Sequence, residues 1–158
     1  DGGRVRFARG AGYRDLGRRL PVDSSTRFGS ASVSKVVTAT AALRMMQDGR
    51  FDADEPVSTH FPDFPDGARL TPRLLAAHLG GIPHYGPGSM PSDRRHVWAS
   101  HALQEFASAR RVGAPGERSV YSTHGITLLS AVMEQRARQP ILALLAQEVF
   151  VPFDMPSS

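Results

Sequence analysis

Ser32 and Lys35 lie three residues apart in the stretch SASVSK, residues 30–35. The chain holds 19 lysine and arginine residues, and a count along it finds 18 arginines, so Lys35 is the single lysine. Residues at i and i+3 share a helix face, so a hydroxyl and an ammonium at this spacing can meet. A buried lysine can lose its proton under desolvation and positive neighbours and then serve as a base, whereas arginine stays charged at any practical pH. A helix N-terminus adds unpaired N–H groups and a partial positive charge, which steady an oxyanion and favour an alkoxide-like serine. A Ser-x-x-Lys spacing alone is a weak motif, and the alternative is a lysine snorkelling at a helix edge. The apolar helix that follows and the solitary lysine weigh toward catalysis. Tyr121, after the Pro-Gly turn of PGERSVYST, supplies a second group, since a phenol beside an ammonium can be held as phenolate and relay protons. Read without its neighbours, Tyr121 is better explained as a core tyrosine with a satisfied hydroxyl.

The elements that must position these groups follow from the pattern of the chain. RVRFARGAGYRDLGRRL alternates around Val5 and Phe7 and breaks at Gly10 and Gly12, which predicts two short strands and a turn. PVDSSTRFGSAS reads as a polar connector. Val33 to Met46 is helical in period and apolar most of the way round, which predicts a buried helix ended by Asp48-Gly49. The Asp- and Pro-rich run 51–70 predicts irregular structure. Thr71 as N-cap and Pro72 at the first helical position open a helix running to Gly80-Gly81. IPHYGPGSMPSD is a Gly/Pro loop in which His84 and Tyr85 are candidates to line a substrate rim. Residues 95–110 predict an amphipathic helix carrying Val97, Trp98, His101, Leu103 and Phe106. Residues 126–138 and 141–150 predict two further helices parted by Gln139-Pro140, the first starting near Gly125. VPFDMPSS, residues 151–158, reads as a frayed end.

A chain of 158 residues, 41% hydrophobic and 22% charged, suffices for one ordinary globular domain. No apolar run approaches the ~20 residues that cross a bilayer. Cysteine is absent, which excludes disulfides and thiolate metal sites. The six histidines lack ligand spacing with carboxylates, so no metal and no cofactor is implied. The net charge of +4 is small, and the arginines are scattered, at densest in the pairs Arg18-Arg19, Arg94-Arg95 and Arg110-Arg111. Without interleaved aromatics this is a solvated arginine-rich surface rather than a nucleic-acid footprint.

Three blocks carry a resemblance: FGSASVSKVVTATAALRMMQDGRFDADEPVSTHFPDFP, LTPRLLAAHLGGIPHY, and PGERSVYSTHGITLLSAVMEQRARQPILALLAQEVFVPFDM. In this order they resemble the serine β-lactamase and penicillin-binding-protein-like superfamily, in its class C, D-Ala-D-Ala carboxypeptidase and esterase branch. The resemblance implies an α/β (α+β) architecture that is part of the β-lactamase/transpeptidase-like fold, with short antiparallel strands and a mostly helical subdomain. Over residues 1–158 it implies one partial domain: a strand pair and nucleophile helix over 1–50, and the helical subdomain over 51–158. It also implies an acyl-enzyme serine hydrolase in which Ser32 attacks an amide, ester or β-lactam carbonyl. Lys35 is the base partner and Tyr121 takes part in proton transfer.

The chain departs from the superfamily pattern in four places. Tyr121-Ser122-Thr123 stands where Tyr-x-Asn is usual; Thr123 lacks the amide's fork, and a related branch carries the same triplet, so Thr123 reads as a substrate-binding residue shifted away from β-lactam hydrolysis. His78-Leu79-Gly80-Gly81 stands where His-x-Ser-Gly is usual, and His78 reads as a packing residue. The C-terminal sheet strands, one with a Lys-Thr-Gly or His-x-Gly motif that supplies an oxyanion N–H, are missing, as are the first helix and part of the first strand. The expectation is an N-terminal portion with an open sheet edge, which invites a complementary chain or self-association, and with an activity lowered by the ~10²–10³ that one oxyanion donor is worth. The alternative is a non-catalytic relative that binds peptide or cell-wall fragments in the same pocket. A small-molecule or peptide substrate is expected, and a cell-wall substrate would imply a periplasmic or extracellular location.

Overall fold

The computed structural model describes residues 2–86 and 95–155. The chain divides into two compact units, Asp1–Ala31 and Ser32–Ser158. In the first, strand β1 (Tyr13–Asp15) pairs antiparallel with β2 (Leu20–Pro21), with Tyr13 opposite Pro21 and Asp15 opposite Leu20. The hairpin therefore lies C-terminal to the alternation around Val5 and Phe7, both of which are exposed coil. The turn explains the shift: Asp15 accepts from the Arg18 N–H at 2.9 Å and Arg19 adopts the left-handed conformation, so the reversal forms at residues 16–19.

The second unit is helical. Its described helices are α1 (Val33–Gln47), α2 (Pro72–Ala76), α3 (Thr123–Ala137) and α4 (Ile141–Leu145). A π-helical turn, Ala146–Phe150, continues α4, and residues 151–155 extend it by hydrogen bonds rather than fraying, with the Met155 N–H donating to the Phe150 carbonyl at 2.8 Å. Thr71 caps α2 as expected, its hydroxyl accepting from the Leu74 N–H at 3.3 Å. The helix is a single turn and stops at Ala76, short of the glycine pair. The run 95–110 is not an amphipathic α-helix. It forms a 3₁₀ segment, Ala99–Glu105, that buries Leu103 and Phe106 but leaves Val97 exposed.

The core of this unit is built on α3. Leu128, Leu129, Ala131, Val132, Met133 and Glu134 are almost entirely buried, and α1, α2, α4 and the 3₁₀ segment pack around them. Helix α1 buries Ala41, Ala42 and Met45 on one side only. Its outer side exposes Val33, Val36 and Leu43 at 64%, 66% and 62%, a stripe at i, i+3 and i+10. The expected all-round burial of α1 is thus corrected: the apolar residues are there, but α3 and the α4 end cover one face.

Glu134 shows what holds the layers together. It is fully buried, and its carboxylate accepts from the N–H groups of Ala99 (2.8 Å), Ser100 (3.2 Å) and Ile141 (2.8 Å). One side chain in α3 therefore satisfies the otherwise unpaired donors at the starts of two neighbouring helices, where a negative charge also suits the helix dipole. A second buried acid, Glu148, accepts from the Arg50 guanidinium at 2.9 Å and ties the turn after α1 to the α4 end. Substituting Glu134 by alanine should cost about 3 kcal/mol or more, because three donors lose their acceptor; urea denaturation should show a lower midpoint with an unchanged slope, and a loss under about 0.5 kcal/mol would contradict this reading.

Candidate active site

Two helix starts meet in the second unit. Ser32 sits at the N-cap of α1 in α-helical conformation, and its hydroxyl caps nothing. Serine at this position ordinarily spends its oxygen on the N2 or N3 amide. Here that oxygen accepts a hydrogen bond from the Lys35 Nζ at 3.3 Å and shares one with the Tyr121 hydroxyl at 2.7 Å. Ala31, just before it, has φ of +44°, a left-handed backbone that costs an alanine roughly 1 kcal/mol and sets the entry to the helix. The expected meeting of Ser32, Lys35 and Tyr121 is present, across 89 residues of sequence in the case of Tyr121.

The burial assumed for Lys35 is only partial, and Ser32 and Tyr121 are exposed. Tyr121 is nevertheless perturbed. A hydrogen bond from Lys35 is the largest cause, the bond with Ser32 the next, and together with the Lys35 charge they hold the phenol below its ordinary value of 10.0. The Lys35 Nζ also lies 5.0 Å from the centre of the Tyr121 ring. Because Tyr121 is 47% exposed, its shift is a matter of short hydrogen bonds more than of a dry electrostatic pocket.

Tyr121 is placed by a strip of chain laced to residues 77–84. The Val112 N–H donates to the Gly81 carbonyl at 2.9 Å, the Gly116 N–H to Leu79 at 2.8 Å, and the Val120 N–H to His78 at 2.8 Å. Gly81 is required there: its φ is +64°, and a Cβ would collide with the Gly113 carbonyl. Ser122 then caps α3, its Oγ accepting from the Gly125 N–H at 2.9 Å and donating to the Pro83 carbonyl at 3.1 Å. The helix thus begins at Thr123, two residues before the glycine expected to start it.

The remaining candidates lie around the same strip. His84 is half-buried; its ring centre lies 3.8 Å from that of Tyr85, the two planes tilted by 38°, and it meets Tyr121 edge-on at 5.4 Å. The Thr123 N–H donates to His84 Nδ1 at 3.1 Å. Tyr85 is exposed, and the residues following Gly86 in the expected rim loop, 87–93, lie outside the described part. His78 packs its ring 4.7 Å from Tyr121, as a packing residue should, but it also accepts from the Ser122 N–H at 3.2 Å. Burial first, then the charge of Lys35, press His78 below the ordinary histidine value. His124 donates from Nδ1 to the Pro83 carbonyl at 3.0 Å and stacks on Phe106, and burial lowers it as well. Sequence reasoning did not find Ser122 as a cap or the acceptor roles of the two histidines; a serine three residues before Gly125 was the one available signal. Among the described residues no group of three or more His, Cys, Asp or Glu is placed to hold a metal, and no helix is long and apolar enough to cross a membrane.

A family model described as Beta-lactamase matches residues 1–158. The chain is 36% identical over 89 residues to the serine beta-lactamase-like protein LACTB, mitochondrial, of Homo sapiens, covering 52% of this chain and 16% of that protein. It is 30% identical over 170 residues to Esterase EstB of Burkholderia gladioli, covering 97% of this chain and 43% of the esterase. The crystal structure of D-amino acid amidase from Ochrobactrum anthropi SV3, complexed with L-phenylalanine amide, superimposes with a TM-score of 0.79 at 30% identity, over 92% of this chain and 41% of that one. The chain therefore spans less than half the length of each of these relatives.

The lowered phenol is directly measurable. In a background where Tyr13 and Tyr85 are phenylalanine, near-ultraviolet titration should find Tyr121 ionising below 10.0, and Lys35→Met should move the midpoint up toward it. An unchanged midpoint in Lys35→Met would remove Lys35 as the cause.

Proposed function

The chain belongs to the beta-lactamase family, and on that premise we propose that it is a serine hydrolase acting by acyl-enzyme transfer, with Ser32 as nucleophile and the Lys35–Tyr121 pair as its proton acceptor. The observation that carries this reading is the convergence of Lys35 Nζ at 3.3 Å and the Tyr121 oxygen at 2.7 Å on one serine oxygen that makes no cap. With Lys35 as ammonium, the phenol ionises below its ordinary value and takes the Ser32 proton. The Ser32 oxygen bonds to the carbonyl carbon, and the positive end of the α1 dipole favours the charge that develops on the carbonyl oxygen. Collapse breaks the bond to the leaving group, which receives the proton from Tyr121. Water then adds to the acyl carbon and gives a proton to the same phenolate; collapse breaks the bond to Ser32 Oγ, which receives that proton back from Tyr121, and the acid product leaves.

The preferred substrates in this proposal are esters and amides rather than β-lactams. Thr123, in place of an asparagine, presents a single hydroxyl instead of an amide fork. The 30% identity to Esterase EstB over nearly the whole chain and the likeness to a D-amino acid amidase support that choice. His84, edge-on to Tyr121, and Tyr85 packed against His84 form the wall against which the acyl group or its leaving group would lie.

The sign of the pH dependence follows from the acceptor. The phenolate is the active form, so the acylation rate should rise with pH through the lowered Tyr121 value and fall as acid reprotonates it. Incubation with a fluorophosphonate followed by peptide mass spectrometry should find the adduct on Ser32. Ser32→Ala should abolish it, and Tyr121→Phe should slow it by about 10²-fold or more, within the usual range for a general base. Turnover of a p-nitrophenyl ester should follow the same order. An adduct on another residue, or full labelling in Tyr121→Phe, would overturn the assignment.

A further inference from the structure

The segment that carries Tyr121 is held by an unusual set of acceptors. The N–H groups of Val120, Ser122 and Thr123 donate, in turn, to the His78 carbonyl at 2.8 Å, the His78 Nδ1 at 3.2 Å and the His84 Nδ1 at 3.1 Å. His78 thus brackets Tyr121 from both sides, with its backbone and with its ring. It can do so because its backbone is left-handed, at φ of +59°, which turns carbonyl and ring to the same strip. Histidine is one of the few side chains besides glycine that enter this region readily. Both rings also touch the Tyr121 ring.

We propose that His78 and His84 are positioning residues: as neutral imidazoles protonated on Nε2, they offer their Nδ1 lone pairs to the Ser122 and Thr123 N–H groups and thereby hold the Tyr121 hydroxyl on Ser32. The role rests on the hydrolase reading of this site, though the clamp itself does not. An imidazole nitrogen accepts only when it carries no proton. Protonation at Nδ1 would set an N–H against an N–H and release the strip on one side of Tyr121. The groups facing His78 are Lys35, Tyr121 and His84, and those facing His84 are His78, Tyr85, Tyr121 and, further off, His124, which Glu105 influences in turn. Among the described residues, no carboxylate forms an ion pair with His78 or His84, or acts on His78, to stabilise an imidazolium. The depressed value of His78, caused first by burial and then by Lys35, keeps its lone pair available to lower pH than an ordinary histidine would. His124 works in the opposite tautomer, donating from Nδ1 to Pro83, and so anchors the loop without joining the clamp.

Asparagine is the informative replacement, since its Oδ1 sits near the place of Nδ1, accepts, does not titrate and tolerates a left-handed backbone. His78→Gly keeps the backbone conformation and removes the acceptor, and His84→Leu removes the acceptor while keeping bulk. The pH profile of fluorophosphonate acylation at Ser32 should show an acid limb in the wild type. His78→Gly and His84→Leu should each slow acylation by about tenfold, the worth of one well-made hydrogen bond in the transition state. The asparagine variants should recover most of that rate, and their double variant should lose the acid limb that titrates with the imidazoles. Asparagine variants no faster than the glycine and leucine ones would overturn the proposal.

Nitrogen-15 NMR of the imidazoles supplies a readout independent of activity. His78 and His84 should be Nε2–H tautomers and His124 Nδ1–H, and the Ser122 and Thr123 amide resonances should shift as the first two titrate. If Ser32 is never acylated but these amides follow the imidazoles, the hydrolase reading fails and the clamp stands. If the amides ignore the imidazole titration, the clamp is wrong whatever Ser32 does.

Discussion

Everything in the helical unit is arranged on a helix that is buried from Leu128 to Glu134 without a break. Buried on nearly all faces, α3 can accommodate a charged side chain only if that side chain is fully paired, and Glu134 meets the condition by capping two neighbours at once. The consequence is directional. With the 3₁₀ segment and α4 fixed by their first amides to the last turn of α3, the helix has little freedom to slide along its axis. Its N-terminal end carries Tyr121 and Ser122. The position of the phenol is therefore inherited from a carboxylate about three helical turns away, through a rigid element.

Two serines at two helix starts show how one residue type is put to different uses. Ser122 is buried and spends its hydroxyl fully, accepting from Gly125 and donating to Pro83. Ser32 is exposed, and its hydroxyl answers to Lys35 and Tyr121 instead of to its own helix. Forgoing the cap costs α1 on the order of 1 kcal/mol of the stability a capped serine usually provides. The strained backbone of Ala31 adds to that cost in the same place. Local rules broken in succession, with no gain in stability to the helix, are what the proposed role of Ser32 as nucleophile would account for.

Some of this was legible from residue types and spacing, and some was not, for reasons that differ. The Ser32–Lys35 pair could be read because an i, i+3 relation survives in any helix. The Thr71 cap and the Pro72 start could be read because capping is local. Tyr121 could be matched to Ser32 only through resemblance, since 89 residues separate them and no periodicity crosses that gap. His78 was legible as a packing residue, but not as an acceptor, because the role of a ring nitrogen depends on which amide faces it in space. The expected helix over 95–110 failed where a tertiary contact prevailed: Glu134 draws the Ala99 and Ser100 amides to itself, and a short 3₁₀ segment follows instead of an α-helix. The burial of α1 was overstated because composition counts apolar residues without saying which side a neighbour covers.

The exposure of the site decides which physical effects can matter in it. At a distance of about 4 Å in a water-like medium, two unit charges interact by only about 1 kcal/mol, and salt reduces that further. A lysine acting on a tyrosine through charge alone would therefore change little here, and the order of the causes acting on Tyr121 agrees: hydrogen bonds lead and the charge of Lys35 comes last. Hydrogen bonds, unlike charge, fail within a few tenths of an ångström and some tens of degrees. A site built on them in open solvent cannot rely on a low dielectric to forgive poor geometry. It must instead be held still, and the backbone bonds along residues 112–123 do that for an exposed tyrosine proposed as the proton acceptor.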